Sequence, residues 1–171
     1  MPGTKSIRRQ TLRFMMIAAI ILATVGCDQA TKHMARGAFG ANQPTELLGS
    51  LLVLSYVENQ GAFLSLGSTW PPHLRLLLFV VFSASIVLAA AAYLIFRRGL
   101  DLTRSAALSL VVGGGLGNLI DRALRAGCVT DFMSLGIGRI RTGIFNLADV
   151  FLIAGVALLL VAKRKRAMEG P

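Results

Sequence analysis

The chain has 171 residues, 54% of them hydrophobic and only 15% charged, with a mean hydropathy of +0.66. That composition excludes an ordinary soluble domain and points to a membrane protein of one compact unit. The net charge of +10 comes from basic residues gathered at the ends of apolar runs. They read as orientation signals and contacts to membrane phospholipids, and no nucleic-acid partner is expected. Two cysteines, Cys27 and Cys128, do not make a disulfide framework.

The first apolar segment runs from Phe14 to about Cys27, after Lys5, Arg8, Arg9 and Arg13. With its flanking turns it predicts a helix over about 13–32. Asp28 and Lys32 stand four apart on it, the spacing of an intrahelical ion pair. Residues 33–72 form a long connection. Within it Leu47–Val57 is rich in Leu, Val, Ser and Tyr around a turn at Gly49-Ser50, and reads as short β-structure on the membrane surface. Trp70, before Pro71-Pro72, suits the interfacial belt. A second helix is predicted over about 73–96, closed by Arg97-Arg98, and a third over about 104–121, closed by Asp121-Arg122. Gly113–Gly117 lies inside the third apolar run, so close helix packing is expected of it, not phosphate binding. Asp121 is expected to pair locally with Arg122 and Arg125. A short loop, Arg122–Gly143, carries Cys128-Val129-Thr130-Asp131-Phe132. The fourth helix, over about 144–162, contains Asp149 and ends at Lys163-Arg164-Lys165-Arg166.

Four spans put both termini on one side. That side holds Lys5, Arg8, Arg9, Arg13, Arg97, Arg98, Arg104 and Lys163–Arg166. The other holds the smaller set Lys32, Arg36, Arg75, Arg122, Arg125, Arg139 and Arg141. The excess of positive charge places the termini in the cytoplasm. At roughly 1.5 Å per residue, Asp28 then lies about 22 Å beyond Arg13, Asn118 about 21 Å beyond Arg104, and Asp149 about 21 Å beyond Lys163. In a hydrocarbon slab of about 30 Å, all three reach the outer third. Asn146 lies one turn further out, and the inner half of the helices carries nothing polar.

A carboxylate in the bilayer is disfavoured by roughly 2.5–3.5 kcal/mol and is usually functional or paired. No positive charge lies within a turn of Asp149, so the best partner is a second acid, and Asp131 can fold back to it. Two neighbouring carboxylates do not both ionise readily: one activates water while the other polarises a carbonyl. Asn118 and Asn146 can hold the acids or a substrate backbone through their amides. His33 and His73 are far apart without metal-ligand spacing, and no metal or cofactor is expected.

Five blocks then occur in order: Asp28-Gln29-Ala30-Thr31-Lys32, Asn59-Gln60-Gly61-Ala62-Phe63, Gly113 through Arg122, Val129-Thr130-Asp131-Phe132 and Phe145-Asn146-Leu147-Ala148-Asp149. Together they resemble the motif blocks of the lipoprotein signal peptidase (signal peptidase II) family. In the second block Phe63 comes one place earlier than the family's common order. The resemblance implies an aspartic endopeptidase of the bacterial inner membrane, multi-pass, with its active site near the periplasmic face. It would remove signal peptides from diacylglyceryl-modified prolipoproteins, cutting before the lipidated cysteine, with no obligate protein partner. It implies that Asp131 and Asp149 form the catalytic dyad, and that Asn59, Gly61, Asn118, Arg122, Asn146, Asp28 and Lys32 bind substrate or support the site. It also implies an external β-cradle, over about 41–66, on four transmembrane helices. From the residues alone, a small four-helix proton-coupled transporter is the alternative. Against it, the acids sit near one face and an external loop covers them.

Overall fold

The computed structural model describes residues 2–38, 44–61, 67–97 and 99–168. Four long helices carry a small sheet at one end. They are α1 (Pro2–Ala38), α2 (Pro72–Phe96), α3 (Leu102–Leu124) and α4 (Leu147–Met168). The strands are β1 (Thr45–Leu47), β2 (Leu52–Asn59), β3 (Val129–Ile137) and β4 (Ile140–Arg141), antiparallel in the order β1-β2-β3-β4. Among the described residues, α1 from Ile7, α2 and α3 are long and apolar enough to cross a membrane. Large apolar side chains point outward from every helix, including Leu22, Phe96, Leu124 and Leu160, as they do where lipid replaces water as the solvent.

Helix α3 is the hub, packing against α1, α2 and α4. The glycines of its middle allow this. A Cβ on Gly114 would lie 2.6 Å from the backbone oxygen of Ala148, and one on Gly117 would lie 2.5 Å from Asp28 Oδ2. The expectation of close packing at Gly113–Gly117 is met, because lipid-soluble helices associate through backbone approach where small residues permit it.

Several boundaries differ from expectation. Helix α1 extends beyond 32, to Ala38. The last helix begins at Leu147, not 144, because Phe145 is drawn into a bridge with Met133 of β3. The expected short loop 122–143 is largely sheet: β3 is an inner strand, paired to β2 with Val57 opposite Asp131 and to β4 beyond it. The expected turn at Gly49-Ser50 joins β1 and β2, whereas 41–43 and 62–66 of the expected cradle, Phe63 included, lie outside the described residues. Within α2, Leu76–Phe82 is wound as π-helix.

The end of the bundle away from the sheet is not free of polar groups either. Arg13 is buried there and donates to Ser105 Oγ at 3.1 Å and to the backbone oxygen of Leu94. Leu94 lies in the last turn of α2, where carbonyls lack intrahelical donors, so the guanidinium satisfies a group the helix cannot.

Candidate active site

Helix α4 starts with a reciprocal pair of bonds. The backbone N–H of Asp149 donates to Asn146 Oδ1 at 3.1 Å, and the backbone N–H of Asn146 donates to Asp149 Oδ2 at 3.2 Å. Asn146 is therefore the cap of the helix and Asp149 its answering residue, two free backbone donors satisfied at once. This geometry fixes the Asp149 carboxylate in the first turn, at the positive end of the helix dipole.

The same asparagine reaches the other acid. Asn146 Nδ2 donates to Asp131 Oδ1 at 2.6 Å and to Asn118 Oδ1 at 3.1 Å. Asn118 in turn donates through Nδ2 to Asp149 Oδ1 at 3.0 Å. Asn118 Oδ1 also accepts from Lys32 Nζ at 2.9 Å. With its oxygen occupied by two donors, the Asn118 amide has one orientation, nitrogen toward Asp149. On the sheet side, Asn59 Nδ2 donates to Asp131 Oδ2 at 2.8 Å, while Asn59 Oδ1 accepts from the Gly61 N–H at 2.8 Å. Asp131, Asp149, Asn59 and Asn146 are all buried. The two acids thus come from different elements, a strand and a helix N-terminus, and share one asparagine. Burial pushes the Asp131 carboxyl up to about 6; the Asn59 and Asn146 amides oppose the rise and the charge of Asp149 adds to it.

Behind this layer lies a charged one. Lys32, wholly buried, pairs with Asp28 at 2.8 Å and with Asp121 at 3.4 Å. Asp28 Oδ1 accepts the Ala148 N–H at 2.9 Å, and Asp121 Oδ2 accepts the Thr130 N–H at 2.8 Å. Each acid therefore anchors the residue directly preceding one of the candidate catalytic aspartates. Gln29 ties the two anchors together: its Nε2 donates to Asp28 Oδ2 at 3.2 Å and to Asp121 Oδ1 at 3.4 Å, as well as to the Gly117 oxygen at 3.1 Å. Asp28 and Lys32 form the expected intrahelical pair, within a wider network. Asp121 pairs with Arg125 at 3.8 Å as expected, but its other basic neighbours are Lys32 and Arg36, the latter at 3.9 Å, while the expected Arg122 turns away and donates to the Gly61 oxygen at 2.9 Å. On a helix, adjacent residues point about 100° apart, so sequence neighbours are poor pairs and i, i+4 residues good ones.

All nine residues singled out in the sequence occur in this region, seven of them bonded directly around the two acids or to their immediate holders. Reasoning from sequence gave no role to Gln29, Thr130 and Ala148. Thr130 and Ala148 act partly through backbone N–H groups, which leave no trace in side-chain identity.

Comparison with known proteins places the chain. The pattern of the family described as signal peptidase (SPase) II matches residues 20–164. A lipoprotein signal peptidase of Moorella thermoacetica is 40% identical over 149 residues, covering 85% of this chain and 89% of that protein. One from Caldicellulosiruptor bescii is 36% identical, covering 85% and 88%. Among solved structures, a bacterial membrane enzyme determined by the in meso method at 2.3 Å resolution is similar with a TM-score of 0.78 and 29% identity, covering 91% of each chain. The comparisons give the transporter alternative no support. With a family pattern that spans most of the sequence and relatives this similar over most of their own length, the chain belongs to the signal peptidase II family.

Proposed function

We propose that this protein is an aspartic endopeptidase that removes signal peptides from diacylglyceryl-modified prolipoproteins, cutting before the lipidated cysteine. The observation that carries the reading is the Asn146 bridge, whose side-chain Nδ2 holds the Asp131 carboxylate and whose backbone N–H holds the Asp149 carboxylate in a buried setting. In this reading four helices cross the bacterial inner membrane with both termini in the cytoplasm, and the sheet lies over the periplasmic face. The substrate enters from the bilayer, keeping its lipid there, and brings its scissile bond under β2 and β3. One carboxylate takes a proton from water, which attacks the scissile carbon, while the protonated partner donates to the carbonyl oxygen. The proton then passes to the leaving nitrogen as the bond breaks. Asn59, Asn118 and Asn146 keep the acids in place, so that little reorganisation is needed during reaction. Arg122, bonded to the Gly61 oxygen, fixes the backbone that directly follows β2.

The test is cleavage of a diacylated prolipoprotein by purified protein in detergent, read as a gel shift. Wild type should cleave, whereas Asp131→Asn and Asp149→Asn should each be folded and inactive. Turnover by either folded variant would remove that residue from the dyad.

A further inference from the structure

Beside the carboxylates, at the same end of the bundle, a second cavity of about 370 Å³ opens between α2 and α3. Its lining includes Gln60, Pro72, Arg75, Leu76, Val80 and Arg122. The two arginines are only partly satisfied. Arg75 Nη1 donates to Gln60 Oε1 and, at 3.4 Å, to the Ser68 oxygen; Arg122 Nη2 donates to the Gly61 oxygen. The Nε–H of both is buried without an acceptor, and neither arginine forms an ion pair among the described residues. Among the described residues, no acidic side chain lines the cavity.

Buried donors are nearly always paired, and one left unpaired forfeits about 1–3 kcal/mol. Two arginines lining one cavity, neither of them ion-paired among the described residues, call for an anion from outside the chain. A guanidinium presents a planar fork that matches the oxygens of a phosphate. Apart from Gln60 the remaining described lining is apolar, and Leu76 and Leu77 beside it are exposed, continuous with the lipid-facing side of α2. Leu76 and Val80 belong to the π-helical segment, a rare winding found preferentially at functional sites.

We propose that this cavity binds the phosphate of a membrane phospholipid through Arg75 and Arg122, with the acyl chains lying along α2. The assignment does not depend on the peptidase reading. Ester oxygens of a substrate's own diacylglyceryl group are the competing occupant, and they carry no phosphate.

Native mass spectrometry of the purified full chain in detergent separates the two. Phosphatidylglycerol and diacylglycerol with the same acyl chains are added in parallel to wild type, Arg75→Gln and Val80→Trp. Wild type should retain one phosphatidylglycerol per chain; Arg75→Gln should hold it about ten-fold more weakly, as expected for loss of one charge-assisted contact. Diacylglycerol should bind no better to wild type than to the variant. The cavity-filling Val80→Trp should lose phosphatidylglycerol to a similar degree, and it carries the test if Arg75→Gln does not fold. Undiminished phosphatidylglycerol binding by a folded variant overturns the proposal. So does diacylglycerol binding that matches phosphatidylglycerol and falls equally with Arg75→Gln, which would give the cavity to the substrate's glyceryl esters.

Discussion

Replacing Asp131 with asparagine should make the protein more stable relative to wild type as the pH rises. The Asp131 carboxyl is held at about 6 in the folded state against 3.8 for an ordinary aspartate. The folded state therefore binds this proton more tightly than the unfolded chain does. Its contribution to stability is fully present below pH 3.8 and is lost as pH rises through 6. The two values are about two pH units apart, and at about 1.36 kcal/mol per unit the loss is about 3 kcal/mol. Asp131 is only 3% exposed, so solvent screening removes little of this. Asparagine does not titrate. The stability of Asp131→Asn minus that of wild type should thus grow by about 3 kcal/mol between pH 4 and pH 8, whatever its offset from altered hydrogen bonds to Asn59 and Asn146. For a chain of this size that is roughly 6–12 °C in relative Tm. Thermal unfolding in detergent followed by differential scanning calorimetry is a suitable assay, because it needs no pH-dependent label. Tm curves for wild type and Asp131→Asn that run parallel from pH 4 to pH 8 would refute the reasoning.

Two further outcomes follow from the packing. Lys32→Met leaves Asp28 and Asp121 facing each other's charge with their shared buried cation gone, and should lower stability by about 3–5 kcal/mol. Adding Asp28→Asn should recover part of that loss; strictly additive destabilisation in the cycle would mean the pair is not coupled. Gly114→Ala should destabilise by roughly 1–3 kcal/mol, since the new methyl meets the backbone of α4, which cannot move aside. Gly26→Ala, on α1 with open space around it, should be neutral or stabilising by a few tenths up to about 1 kcal/mol. Equal Tm values for these two alanine variants would contradict the glycine-packing account.

Much of the site was legible in the sequence because apolar length and rise per residue constrain depth. Asp28, Asn118 and Asp149 were expected at one level from helix spans alone, and they meet there through Lys32, Asn118 Oδ1 and the Ala148 N–H. Asp131 was reached only as an acid whose loop could fold back to Asp149, and Asn59 only through the motif blocks, because both lie on strands that no depth argument reaches. Less visible was β3, although Gly127 and Gly138, both at positive φ, bracket it as turn residues should. Its apolar and polar residues do not alternate cleanly, since several of its side chains are buried on both faces.

The sequence by itself determined the solvent and the scaffold: a bilayer chain of long helices, with acids and amides carried to one end. Hydrophobic length and charge placement are local properties, and they act before any helix meets another. Only the tertiary structure decided which groups touch. It made Asn146 at once a helix cap and a bridge between two acids, drew Asp121 toward Lys32 instead of Arg122, and brought Arg75 and Arg122 to line one cavity. Those outcomes depend on the rotation of each helix about its axis and on the register of β2 against β3. Both are set by packing between segments distant in sequence, as at Gly114 against α4 and Gly117 against Asp28, and no local pattern encodes them.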